Sequence, residues 1–493
     1  MINPADKCSA LAVLTLRDGR VTQVSHRAAS AGQAGFCEVH ATVAPEHDVI
    51  VRLPDRWRGR YVQFGGGGFD GFIPSVSTPS SGIIASGHNL AEEGYAVAVS
   101  NGGHRREHFA QGSFSSDRGL SLSYATAKIF DTDQVSQQLI EAYYGSAASY
   151  RYFAGCSNGG KNASVAAAYF SGQYDGVIGG DGPLGLAGDE AGGGDLTGYT
   201  VKWIDTFQQG MTISPAIGNL IYAEQLRQCD GLDGLKDGII ADPARCARQL
   251  DLSVLSCKPG GGSALCLSPQ DLAVIARRRQ PYRLNGKVVG APWGIDNPGE
   301  TGGPEVAAAN VAIAFHLASP VELDRFPVAE SYADIAAGLD GVYHMTGGLD
   351  AVARYIDQGG KLMLFHGWED TGVPPQGSVD FYRKLRQVAT VKGRDNARLY
   401  MVPGMKHCRG GNGADSAELL PVMARWVEEV IAPGSPNNPM LAWKRQEGVA
   451  SGDVVRNRLE QSVMSRPLCA YPLVAIYKGG AVMSHHSFVC RKD

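Results

Sequence analysis

Three short segments hold the residues best suited to covalent chemistry. Gly155-Cys156-Ser157-Asn158-Gly159 is a G-x-S-x-G pattern, in which small neighbours permit the tight turn that lifts a serine hydroxyl into a cleft. That hydroxyl is a weak nucleophile until a base takes its proton and a carboxylate fixes the tautomer of the base. Two later segments supply those types: His366-Gly367-Trp368-Glu369-Asp370 carries the carboxylate, and Pro403-Gly404-Met405-Lys406-His407-Cys408 carries the imidazole. The chemistry this implies is acyl transfer, with Ser157 as nucleophile, His407 as base and Asp370 as its partner. Glu369 is the rival for the last role. In a chain with 64 glycines a G-x-S-x-G match also arises by chance, so the elements around it must carry the argument.

Those elements place all three residues alike. Tyr150 to Ala154 predicts a strand that turns at Gly155 into a helix running through Ala163 to Phe170. Lys361 to His366 and Arg398 to Val402 predict strands leading into the loops of Asp370 and His407. Further strands are predicted at the start of Tyr61 to Phe72, at Gly94 to Ser100 and at Asp175 to Gly180, with a helix bearing Val135, Leu139, Ile140 and Tyr143 that stops at Gly145. Strands alternating with helices imply a mostly parallel sheet covered on both faces. The order Ser, Asp, His on successive loops is that of an α/β-hydrolase fold. Gly65 to Gly68 follow an early strand, so an amide of Gly66 or Gly67 would complete an oxyanion hole with that of Asn158. A purely structural turn is the alternative; the Lys-Ser/Thr ending of a phosphate-binding loop is absent from the segment. A chain of 493 residues exceeds one ordinary domain. The pattern divides it into a core over residues 1–183 and 346–493 and an inserted lid domain over 184–345, rich in glycine loops and short helices.

Ten cysteines fall into neighbouring pairs, Cys8 with Cys37, Cys229 with Cys246, Cys257 with Cys266 and Cys469 with Cys490, leaving Cys156 and Cys408. The last two flank the proposed nucleophile and base. A disulfide between them would hold their Cα atoms roughly 5 to 6 Å apart, bringing Ser157 and His407 near hydrogen-bonding reach. Free buried thiols are the alternative, and zinc-type spacing is absent. Such cysteine usage points to an oxidising compartment, secreted or periplasmic, and Met1 is read as replacing a removed leader. A net charge of -4 gives no reason to bind nucleic acid, and no apolar run is long enough to span a bilayer. A small, roughly neutral substrate fits better; the oligomeric state is not legible. The segment from Cys229 to Cys246 concentrates Asp230, Asp233 and Asp237 among turn glycines. Carboxylates, with the carbonyls of Leu235 and Ile239, suit Ca²⁺, and a solvated acidic turn is the alternative.

GCSNGG, HGWEDTGVPP, VPGMKHCRGG, CDGLDGLKDGIIADPARC, FGGGGFDG and EAYYG together resemble the tannase and feruloyl esterase family, over nearly the whole chain. That family includes the hydrolase of mono(2-hydroxyethyl) terephthalate. The resemblance implies a lidded α/β-hydrolase with Ser157, Asp370 and His407 as triad, Cys156 paired with Cys408, and a structural calcium on Asp230, Asp233, Leu235, Asp237 and Ile239. It also implies esters of aromatic acids, feruloyl or galloyl, as substrates. Terephthalate half-esters are the alternative; a serine peptidase, a lipase and a non-catalytic binding protein are remoter ones. Aromatic candidates for the acid pocket are Trp203, Phe207, Trp293, Phe315 and Tyr343. Two positions depart from the pattern. SYATAKIFDTDQV lacks a histidine that the family carries more often, and DGVIGGDGP places Asp181 where a small residue is common.

Overall fold

Nine strands form one sheet in the computed structural model: β1 (Gly19–Arg27), β2 (Phe36–Val43), β3 (His47–Pro54), β4 (Arg60–Phe64), β5 (Tyr95–Ser100), β6 (Tyr150–Cys156), β7 (Gly176–Gly180), β8 (Lys361–Gly367) and β9 (Ala397–Val402). Their spatial order is β1-β2-β3-β5-β4-β6-β7-β8-β9. Neighbours from β5 through β9 are parallel, while β1, β2, β3 and β5 pair antiparallel. All residues are described except 1–2, 31–33, 77–81, 106–111, 185–195, 209–213, 259–264, 294–302, 344–347, 435–438, 451–452, 454 and 493.

Both faces of the parallel half are buried, and period-two alternation sorts the side chains between them. Val177, Leu362 and Leu364 belong to one apolar cluster, while Ile178, Met363 and Phe365 belong to the other. The first face is covered by α1 (Lys128–Tyr144), by α2 (Asn158–Tyr169) and by residues 348–357, and the second by the helix Leu419–Glu428. Gly145 ends α1 at φ 79°, the left-handed cap that glycine adopts without steric cost. This is the α/β-hydrolase fold. The antiparallel β1–β3 ribbon is an addition to the predicted strands. Its signal is visible in β2, where buried residues alternate with half-buried ones, but it precedes the strand–helix alternation from which the sheet was read.

Between β7 and β8 the described chain contributes no strand to the main sheet. It forms α3 (Leu196–Gln208), α4 (Pro215–Cys229), α5 (Gly303–Ala314), α6 (Val328–Tyr343), three shorter α-helices at Pro243–Gln249, Pro269–Arg278 and Gly348–Asp357, and a small hairpin at Tyr282–Leu284 and Lys287–Gly290. A third apolar cluster joins Trp203, Trp293, Ile313 and Leu339 of this segment to Phe69 and Tyr124. The predicted boundary at 345 lies outside the described residues. All five predicted disulfides are formed, Cys8–Cys37, Cys156–Cys408, Cys229–Cys246, Cys257–Cys266 and Cys469–Cys490, and this pattern is that of an oxidising compartment. Among the described residues no helix is long and apolar enough to cross a membrane.

Candidate active site

Ser157 sits between β6 and α2 at φ 63°, ψ -122°, a conformation that costs a non-glycine residue about 1–3 kcal/mol and persists only where the surroundings enforce it. The enforcement comes from close backbone approach. A Cβ on Gly155 would lie 2.6 Å from the Gly159 carbonyl, and one on Gly159 would lie 2.9 Å from the Gly66 oxygen. One on Gly160 would lie 2.1 Å from the Gly180 oxygen. The glycines thus let the start of α2 pack between the turn after β4 and the end of β7. The Ser157 amide donates to the Gly180 carbonyl at 2.8 Å, which locks the elbow to the sheet.

The loops after β8 and β9 meet this elbow. His407 Nε2 lies 2.8 Å from Ser157 Oγ, and its Nδ1 lies 2.7 Å from Asp370 Oδ2. Asp370 is buried, and its Oδ1 accepts from the amides of Gly372 at 2.8 Å and Val373 at 2.7 Å. Burial alone would raise this carboxyl, but the charges and hydrogen bonds of His407 and His366 outweigh it and hold Asp370 well below the usual range. Glu369 instead accepts from Tyr222 at 2.8 Å, so geometry separates the two neighbouring carboxylates. Cys156 and Cys408 are bonded, with Cα atoms 6.0 Å apart. Such a chain is competent for general-base activation of a serine.

Two further residues belong to this site: His366, to which the sequence assigns no role, and Asp181, which the sequence marks as a departure from the family pattern near the site. His366 Nε2 lies 3.0 Å from the same Oδ2 of Asp370, and its Nδ1 lies 2.7 Å from Ser378 Oγ. Asp181 lies behind it, with Oδ1 3.8 Å from His366 Nε2 and accepting from the Gly367 amide at 3.0 Å. Both are fully buried. Burial opposes a charged His366, yet Asp181 and Asp370 raise it above the ordinary imidazole value, while burial pushes Asp181 up to about 7. Both shifts act on stability in one direction. The folded Asp181 keeps its proton up to about 7 whereas the unfolded carboxyl loses it near 3.8, so stability falls as pH rises between them. A raised His366 contributes stability below the unfolded imidazole value, and this is lost as pH rises through the folded one. Asp181→Asn, which keeps an acceptor for Gly367, is therefore expected to melt with a shallower decline from pH 5 to pH 8 than the parent. Thermal melts of both proteins across that range check it.

The triad opens onto a cavity of about 430 Å³ lined by Ser157, His407, Phe69, Lys161, Tyr199 and Tyr343 among others. A larger one of about 570 Å³, near His88 and Glu418, touches none of the triad. Asn158 lines the first, its side chain held by Asp70 at 2.5 Å and Tyr124 at 3.2 Å. Of the glycine turn, Gly68 faces the cavity with Phe69, whereas Gly66 packs on Gly159 and Gly67 is not in the lining. Among the aromatic candidates Tyr343 lines the cavity. Trp203 and Trp293 donate instead to the carbonyls of Gly372 at 3.1 Å and Thr371 at 3.0 Å, bracing the Asp370 loop. Phe207 packs in the insertion cluster and Phe315 is exposed.

Residues 31–297 and 304–491 match the family described as tannase and feruloyl esterase. The chain belongs to that family. It is a carboxylic ester hydrolase. Among its relatives, the mono(2-hydroxyethyl) terephthalate hydrolase of Piscinibacter sakaiensis is 26% identical, over 94% of this chain and 86% of that protein. A probable feruloyl esterase of Arthroderma benhamiae is 28% identical, over 90% and 82%. In fold the esterase is similar to the crystal structure of feruloyl esterase B from Aspergillus oryzae, with a TM-score of 0.78, 19% identity, and 99% and 100% of the two chains covered.

In the acidic loop of the esterase, Asp230 Oδ1 accepts from the amides of Asp237 at 3.0 Å, Gly238 at 3.1 Å and Ile239 at 3.3 Å. Asp233 Oδ1 accepts from the Leu235 amide at 3.0 Å, and Asp237 Oδ2 pairs with Arg466 at 2.5 Å. Asp233 and Asp237 line a small cavity of about 30 Å³, room for one ion or water. Burial raises both carboxyls, Asp233 to about 6, with repulsion from Asp237 and Asp230 adding at Asp233 and from Asp230 at Asp237, where Arg466 opposes it. Asp233 and Asp237 offer carboxylate oxygens to that space, while Asp230 is not in its lining and Arg466 already offsets part of the acidic charge.

Proposed function

We propose that the esterase hydrolyses esters of aromatic acids, feruloyl (hydroxycinnamoyl) or galloyl esters, through an acyl-enzyme on Ser157. The observation that carries this reading is the hydrogen-bonded chain from Ser157 through His407 to Asp370 at the mouth of an aromatic-lined cavity. Ser157 Oγ attacks the ester carbonyl as His407 Nε2 takes its proton, and the imidazolium then hands that proton to the departing alcohol. Asp370 stabilises the imidazolium without taking a proton itself. His366, bonded to the same Oδ2 of Asp370 as His407, fixes the orientation of that carboxylate. The amide of Asn158 and one from the turn at Gly66, Gly67 and Gly68 hold the oxyanion. Water, activated by the same imidazole, releases the acid.

Hydrolysis of methyl ferulate, methyl gallate and mono(2-hydroxyethyl) terephthalate, compared at matched concentrations, tests the substrate class. Preference for the first two supports it; preference for the third selects the terephthalate reading that the Piscinibacter relative favours. Turnover of none of them would remove aromatic acyl groups from the account.

We also propose that Asp230, Asp233 and Asp237, with the carbonyls of Leu235 and Ile239, hold a structural Ca²⁺. The ion would neutralise the raised carboxyls and tie the loop closed by Cys229 and Cys246 to the body of the protein. Metal analysis after dialysis is expected to find one tightly held Ca²⁺, and excess chelator to lower the melting temperature. A chelator-insensitive melt would exclude it. Export of the chain, to the periplasm or beyond, accords with its five disulfides.

A further inference from the structure

Two residues lining the cavity beside Ser157 each carry a buried polar atom without a hydrogen-bond partner among the described residues, one a donor and one an acceptor. The donor is Lys161 Nζ. Lys161 lies one helical turn beyond Ser157, lines the same cavity and is 2% exposed. Its ammonium rests on the faces of Tyr343, 4.1 Å from the ring centroid, and Tyr124, at 4.9 Å. Ring faces stabilise a cation but accept none of its hydrogen bonds in full. The neighbouring Lys128, by contrast, has Asp70 at 3.4 Å as counter-ion. A lysine serving only to fill space would cost less as methionine, because a buried ammonium without partners pays its desolvation uncompensated.

The acceptor is Asn310 Oδ1, on α5 across the cavity lining. Its amide orientation follows from its neighbour. The Thr200 hydroxyl donates to the Leu196 carbonyl at 2.7 Å, so it can only accept from Asn310 Nδ2 at 2.9 Å. That leaves Oδ1 as the free group. A cavity offering one unspent donor and one unspent acceptor fits a substituent that both accepts and donates. A hydroxyl does so. A carboxylate or a methoxy group would satisfy Lys161 and leave Asn310 unpaired.

We propose that Lys161 and Asn310 form the acyl-ring subsite and select a phenolic hydroxyl, Lys161 donating to its oxygen and the hydroxyl donating to Asn310 Oδ1. This rests on the proposed reading of the cavity as the acyl pocket. The groups facing Lys161 are Lys128, Asp70, Tyr124 and Tyr343. Burial and then Lys128 push its amine well below the usual range, which suits a partner able to share a proton with it.

The test compares kcat/KM for methyl benzoate, methyl 3- and 4-hydroxybenzoate, methyl 4-methoxybenzoate and monomethyl terephthalate. A hydroxylated ester is expected to exceed the unsubstituted one by about 10- to 100-fold, the range for a hydrogen bond to a charged group. Lys161→Met and Asn310→Leu are each expected to collapse that ratio, and Lys161→Arg to restore part of it. Equal ratios in parent and variants, or a carboxylate preferred over every hydroxyl, would overturn the proposal. Calorimetric binding of 4-hydroxybenzoate, 3-hydroxybenzoate and benzoate to Ser157→Ala requires no chemistry and no pocket variant. Tighter binding of a hydroxylated acid supports the subsite even if no ester is cleaved, and equal binding of all three refutes it even if esters are cleaved.

Discussion

Replacing Ser157 with alanine is expected to lower kcat for any ester the protein cleaves by about 10⁶-fold, with the fold intact. The size follows from how the three groups act. His407 has nothing to deprotonate once Oγ is gone, and Asp370 then orients a base without a task, so the loss is close to that of removing the triad whole. Only the oxyanion amides and binding remain. Stability should change little, because Ser157 is half-buried and alanine accepts the same strained φ of 63° no less readily than serine. Asp370→Asn should cost about 10⁴-fold by favouring the wrong imidazole tautomer. Glu369→Gln should leave kcat within a few-fold, since that side chain faces Tyr222 and not His407. Stopped assays with the purified variants, alongside thermal melts, separate these outcomes. An active Ser157→Ala protein would require another nucleophile.

The contrast between Asp370 and Glu369 marks where reading along the chain stops. Each triad residue lies just past a parallel strand, so strand periodicity and loop position expose it, and the flanking cysteines tie the loops together. Both adjacent carboxylates are buried, and which of them meets the imidazole depends on the path of the loop, here set by the amides of Gly372 and Val373 and braced by Trp203 and Trp293. Asp181 and His366 were harder. Each ends a run of apolar residues at the carboxyl end of a strand, β7 and β8, where a polar type is itself a signal; their pairing depends on those strands being neighbours. The glycine turn shows the same limit. Four consecutive glycines announce close approach, but only the folded path shows that Gly65 and Gly66 pack on Gly159 while Gly68 faces the cavity.

Removing the disulfide that joins the nucleophile and base loops should cost more in catalysis than in folding. The Cys156–Cys408 bond spans 252 residues, and chain entropy assigns such a loop about 5 kcal/mol of stability. Cys8–Cys37 spans 29 and is assigned about 3–4 kcal/mol. Unfolding entropy scaled to this length is about 1 kcal/mol per degree, so each Cys→Ala pair should lower the melting temperature by only about 2–5 °C. Activity separates them. Cys8–Cys37 ties the N-terminal helix to β2, at the antiparallel end of the sheet, whereas Cys156–Cys408 holds the residues on either side of the 2.8 Å contact between Ser157 and His407. A displacement of about 1 Å there is enough to cost about 10²-fold. The Cys156→Ala/Cys408→Ala protein is therefore expected to lose at least that much in kcat/KM at a temperature where it is fully folded, and the Cys8→Ala/Cys37→Ala protein to keep its activity. Alanine is the suitable replacement, since Cys156 Sγ lies 3.5 Å from Asp181 Oδ2 and a serine hydroxyl would add a new bond to the buried acid. Equal losses of activity in the two pairs would mean that the clamp acts through global stability alone.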